Sequence, residues 1–212
     1  MKKLVSFFSL VILSLSLTAC GAKNSSGTSF NIGKLDNTNY INTWINIKIE
    51  QMSGWGVIPG DQLGQMVSDP NNVLVGLDDS KNNDFINGNA SAIYPIGFIN
   101  INSNANLIVT IEKASSNSNE AVNKYVDDLK AHLKDLESQG TVFTVQDPKS
   151  ATIGEFQCTE IVTEADFSDS KLVQNYFLKP KDNYLFVLMT TSPSDNGTND
   201  INDFLNNIKK AQ

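Results

Sequence analysis

The run YLFVLM, Tyr184–Met189, has apolar side chains at successive positions. Neighbouring residues of an extended chain point to opposite faces, so such a strand is apolar on both sides. It has to lie centrally in a sheet that is covered on both faces. Any fold for this chain must therefore supply apolar layers above and below one sheet.

The remaining periodicities supply those layers. Ile45, Ile47 and Ile49 alternate with Asn46, Lys48 and Glu50, the pattern of a half-buried strand that ends at Gly54, Gly56 and Pro59. A weaker strand, NVLVGLDD, follows a Pro-Asn-Asn turn, and residues 80–92 read as a polar excursion with a turn at Asn87 and Gly88. IGFINI and LIVTIEK, parted by NSNAN, predict a hairpin. Val122, Tyr125, Val126, Leu129, Leu133 and Leu136 recur at helical spacing, with Asn117 and Glu120 placed as a cap and Gly140 as the stop. TVFTV, TIGEFQCTEIV, KLVQNYFLK and YLFVLMTT follow as successive strands, separated by QDPKS, EADFSDS and PKDN. A last helix, capped near Asn199 or Asp200, presents Ile201, Phe204, Leu205 and Ile208. The fold class expected is α+β, an antiparallel sheet flanked by helices on both faces.

The N-terminus carries a different signal. Met1, Lys2 and Lys3 precede an apolar or hydroxyl stretch from Leu4 to Leu17, a positive n-region followed by a secretory h-region. That stretch is shorter than the roughly 20 residues a membrane-spanning helix needs. Leu17-Thr18-Ala19-Cys20 resembles the lipobox of bacterial lipoproteins, which implies a diacylglyceryl thioether on Cys20 and cleavage just before it. The alternative is an ordinary small-residue cleavage site that happens to contain Cys20. Two acyl chains on one residue give lasting attachment, because each buried methylene contributes about 0.8 kcal/mol. The expected organisation is a signal peptide at 1–19, a lipidated cysteine and flexible tether at 20–29, and one domain at 30–212, too short for the two lobes of a transporter-type solute-binding lipoprotein.

Removing residues 1–19 takes away Lys2 and Lys3 and moves the formal charge from −7 to −9. An acidic chain without arginine argues against nucleic acid and an anionic bilayer surface as direct partners. With Cys20 acylated, Cys158 is the only thiol left, so an internal disulfide is excluded. It reads as a small buried hydrophobe in a strand, with a reactive thiol as the alternative.

Catalytic patterns are missing. His132 is the sole histidine, so a two-histidine zinc helix is excluded, and it sits at the edge of the helical stripe beside Leu129 and Leu136. No G-x-S-x-G elbow occurs, and GWGVIPG lacks dinucleotide-binding spacing. Trp44 and Trp55 read as core or strand-end packing. Asp78 with Asp79, Asp127 with Asp128, and Glu155, Glu160 and Glu164 offer carboxylates that could do glycosidase work only if the fold brings two of them together. LDDSKNND and SDNGTND carry calcium-type oxygens but lack the glycine of an EF-hand loop. No cofactor or metal is expected.

The stretches TWINIKIEQMSGWGVIP, EAVNKYVDDLKAHLKDL, TIGEFQCTEI, QNYFLKPKDNYLFVLMTT and INDFLNNIKK together resemble the PsbP-like family, which includes DcrB-type bacterial lipoproteins. They cover most of residues 40–210, and residues 60–106 depart most. The resemblance implies an antiparallel sheet between helices that serves protein contacts, without a shared catalytic residue set. The function expected is a lipid-anchored, extracytoplasmic binding or adaptor module of the bacterial envelope. It would be held to the membrane through Cys20 and take an envelope protein or small ligand. The alternatives are a surface hydrolase using paired carboxylates and a passive structural lipoprotein.

Overall fold

The computed structural model describes residues 29–66, 72–114, 119–137, 141–167, 170–193 and 195–211. In chain order the elements are β1 (Lys34–Asp36), β2 (Asn39–Asn42), β3 (Ile47–Ile49), β4 (Trp55–Val57), α1 (Gly60–Met66), β5 (Val73–Val75) and α2 (Asp79–Asn87). There follow β6 (Ala92–Asn100), β7 (Asn106–Lys113), α3 (Asn119–Glu137), β8 (Val142–Val145), β9 (Lys149–Ile153) and β10 (Phe156–Phe167). The chain closes with β11 (Ser170–Lys181), β12 (Tyr184–Ser192), α4 (Asp195–Asn206) and β13 (Ile208–Lys209).

The strand that is apolar on both sides occupies the place its sequence demands. The large sheet runs β4-β6-β7-β12-β11-β10-β8, so β12 has three strands on either side. Leu185, Val187 and Met189 point to one face, where they meet Leu63 of α1 and Tyr125, Leu129 and Leu133 of α3. Phe186 and Leu188 point to the other, where Phe85 of α2, Phe204 and Leu205 of α4, and Ile47 and Ile49 of a small sheet, β1-β2-β3-β13, cover them. Each such side chain contributes about 1.5–3 kcal/mol by leaving water. Helices thus lie on both faces of an antiparallel sheet, as expected, and the small sheet shares the α2 and α4 side. Because β12 can open only with the whole core, Tyr184–Met189 is expected to show the slowest amide exchange in the chain. Hydrogen exchange read by mass spectrometry checks this, and fast exchange there would contradict a central position.

Several elements differ from the sequence reading. Residues 80–92 are mostly the helix α2, not a polar excursion. Asp78 caps it by accepting from the Lys81 N–H at 3.0 Å, and Phe85 is its one buried residue, too little apolar content to give a visible period. The short helix α1 lies in what reads as a broken segment, anchored by Leu63 alone. TIGEFQCTEIV is not one strand, since Gly154, at φ +53°, turns the chain so that β9 and β10 pair as a hairpin. EADFSDS is largely strand, with β10 and β11 paired out to Phe167 and Ser170. Nor do the last strands form a simple meander, because β8 and β9 share the same edge of β10. Ile208 is buried, but as part of β13 beside Ile49 and not in the helix. The hairpin of β6 and β7 forms as expected, with its register shifted between Ile93 and Ile96, around Pro95, which has no N–H to give to a ladder. β5 joins β6 in parallel, the one parallel pairing among the described strands.

Candidate functional site

Cys20, the preceding Leu17-Thr18-Ala19 and the tether up to residue 28 lie outside the described residues, as do Asn117 and Gly140. The first described residues, from 29 onward, pack against the domain. Phe30 stacks on Tyr184 at 4.1 Å between ring centroids, meets Trp44 edge-on at 4.9 Å, and lies 5.8 Å from Phe85. Asn82 of α2 accepts from the Ile32 N–H at 3.1 Å. Lys113 covers the Phe85 ring at 5.2 Å and donates to the Gly88 carbonyl at 2.8 Å. The aromatic clasp fixes Phe30 against α2, at the end of the sheet where β7 stops and β12 begins.

On that same helix a cleft of about 550 Å³ opens between α2 and β5. Asn72, Asn83, Asp84, Asn87 and Asn89 line it, over a floor of Val73, Leu74 and Ala90. Asn83 and Asn87 stand four residues apart on α2 and so share one helical face. Asn83, Asp84, Asn87 and Asn89 are exposed, which leaves their amide and carboxylate groups open to a ligand. Each amide offers two donors and an acceptor, and the single carboxylate adds two acceptor oxygens. The chemistry available is therefore hydrogen bonding to a neutral polar molecule.

The residues singled out from sequence are placed apart. Glu160 pairs with Lys149, Glu164 with Lys171, and Asp128 with Lys124, while Glu155 accepts from the Lys210 N–H at 3.0 Å. Asp78 is spent on capping α2, and its carboxyl is held below the usual range by Ser80 and the Lys81 N–H. LDDSKNND therefore folds as a helix start, not a cation loop, and among the described residues no group of three His, Cys, Asp or Glu could hold a metal. Half-buried His132 borders the α3 stripe, where desolvation holds its imidazole below the ordinary value against the pull of Asp135. Cys158 is half-buried in β10 with its Sγ 3.7 Å from the Ala151 carbonyl, and burial, assisted by Glu160, pushes the thiol up to about 12. That is the small-hydrophobe environment, with the thiolate suppressed. Trp44 and Trp55 are buried in the core, and Trp44 donates from Nε1 to Asp182 at 3.0 Å.

One ionisable residue escaped the sequence reading. Glu112 of β7 is 1% exposed beneath α3, beside Tyr94 and Tyr125. Its Oε2 has no hydrogen-bond partner. Burial, with a smaller contribution from Asp128 on α3, raises its carboxyl well above the ordinary value.

The sequence matches no protein-family profile and no curated protein. The fold is similar to that of cyanobacterial PsbP (CyanoP) from Synechocystis, at 11% identity and a TM-score of 0.48 over 87% of this chain and 98% of that one. It is also similar to LpqN of Mycobacterium tuberculosis, a protein involved in cell envelope biogenesis, at 14% identity and a TM-score of 0.42 over 78% of this chain and 83% of that one. Among the described residues, no helix is long and apolar enough to cross a membrane.

Proposed function

We propose that the chain is a lipid-anchored, extracytoplasmic binding module of the bacterial envelope, attached through Cys20 and taking its ligand in the cleft between α2 and β5. The observation that carries this reading is the cleft itself, lined by exposed amides and set on the helix that clasps the tether root. The apolar run before Cys20 supports the anchor. Binding is favoured over hydrolysis because Glu155, Glu160 and Glu164 each answer to a separate partner, whereas glycosidase chemistry asks for two carboxyls about 5 to 10 Å apart around one substrate.

Expressed in a bacterium that acylates lipoproteins, the wild-type chain is expected to sediment almost wholly with membranes and to yield a diacylglyceryl-modified N-terminal Cys20. Cys20→Ala is expected to remain uncleaved at Ala19 and unacylated. Mass spectrometry of the mature N-terminus is the measurement, and an unmodified Cys20 in the wild type would overturn the anchor.

A further inference from the structure

We propose that the cleft between α2 and β5 binds a neutral saccharide, held by Asn72, Asn83, Asn87 and Asn89 together with Asp84, on the side of the domain where the tether enters. The proposal rests on the binding reading above and names its ligand class. Adjacent sugar hydroxyls each donate and accept, which is the complement of a row of side-chain amides and one carboxylate. Val73, Leu74 and Ala90 provide a shallow apolar floor for the C–H face of a ring.

Other ligand chemistries fit less well. An anion would meet Asp84 and find no lysine in the lining, since the neighbouring Lys113 already serves the Gly88 carbonyl and the Phe85 ring. A cation would find a single carboxylate, and hard cations take six or more oxygens, several of them charged. An apolar molecule needs an enclosed, largely hydrophobic pocket, whereas this cleft is open, with Asn83, Asp84, Asn87, Gly88 and Asn89 exposed along it. Strand addition by a peptide is limited by β5, which is only three residues long.

Position narrows the source of the saccharide. The clasp of Phe30, Tyr184 and Phe85 joins the tether root to α2, the wall of the cleft. A ten-residue linker of the composition seen at residues 20–29 would reach roughly 16–19 Å if it behaves as a flexible chain. A cleft held at that distance from an anchored Cys20 can meet the sugar headgroup of a lipid as well as a free glycan.

The test uses the acylated full-length protein in phosphatidylcholine nanodiscs, with amide and side-chain NMR shifts of residues 72–90 as the readout. The probes are free maltose and cellobiose, calcium, and glycerol phosphate. Phosphatidylcholine vesicles with and without a neutral diglycosyl diacylglycerol form the membrane-source arm. The expected result is saturable shifts at Asn83, Asn87 and Asn89 with sugar. An Asn83→Ala, Asn87→Ala double variant should bind about tenfold more weakly with an unchanged thermal midpoint. Stronger recruitment to glycolipid vesicles than binding of free disaccharide would assign the headgroup as the source, and the reverse would assign a free glycan. Shifts at these residues with calcium or glycerol phosphate but not with sugar would overturn the saccharide and leave the binding site standing. Sugar-induced shifts elsewhere would overturn the site, and no shift with any probe would overturn both.

Discussion

Replacing Glu112 by Leu is expected to stabilise the protein by about 1–3 kcal/mol at pH 8, the cost of burying a polar group whose hydrogen-bonding capacity is left unsatisfied. Glu112 lies opposite Ala92 on β6 and Leu185 on β12, under α3. Asp128 of α3 acts on its carboxyl, and Tyr125 of α3 and Tyr94 of β6 feel it in turn. Asp128 opposes ionisation, and burial opposes it more strongly. Leu at this position removes the unpartnered Oε2 and packs against Leu185, and the small side chain of Ala92 leaves room for its extra branch.

The sign of the pH dependence follows from the direction of the shift. The folded state holds the Glu112 proton more tightly than the unfolded chain, where the carboxyl titrates near its ordinary 4.5. Its contribution to stability is therefore fully present below pH 4.5 and is lost as pH rises toward the folded value. The advantage of Glu112→Leu should be small at pH 4 and grow through neutral pH. Urea unfolding of both proteins at pH 4, 6 and 8 measures it; a pH-independent difference would mean that Glu112 titrates in the fold as it does in the unfolded chain, and an advantage that shrinks with rising pH would mean that it is charged and paired.

What the sequence could disclose was set by how many apolar residues each element commits. β12, α3 and the β6–β7 hairpin bury long apolar rows, so period alone located them. α1 and α2 each rest on a single buried side chain, Leu63 or Phe85, and one residue has no period. This is why the cleft was invisible: its wall is a helix of mostly polar residues whose amides look like loop composition. Glu112 was hidden for the opposite reason, lying in LIVTIEK where alternation suggests an outward-facing acid, whereas β7 is buried on both faces. Glu160 and Glu164 do not converge because four residues of β10 set them about 13 Å apart, each paired with its own lysine, Lys149 or Lys171.

Gly154→Ala is expected to cost about 2–4 kcal/mol, the effect of backbone strain and a steric clash acting together. Gly154 turns the β9–β10 hairpin at φ +53°, where a residue with a Cβ loses about 1–2 kcal/mol. An added Cβ would also collide with the backbone carbonyl of Ile208. That carbonyl accepts from the Glu155 N–H at 3.1 Å, and the Glu155 carboxylate accepts from the Lys210 N–H at 3.0 Å. The collision therefore falls where the hairpin of the large sheet grips β13, the strand that pairs with Ile49 and completes the small sheet. Relief requires β13 to move, which exposes Ile208 and loosens the cover over Phe186 and Leu188. Gly56→Ala is the control, because an added Cβ there meets nothing within 4 Å, and it should stay within about 0.5 kcal/mol of wild type. Thermal unfolding should separate the two variants by several degrees, at about 2–4 °C per kcal/mol for a chain of this size. Equal midpoints for the two would show that β13 does not bear on the hairpin, and the small sheet would then be held by α4 and the Ile47–Ile49 strand alone.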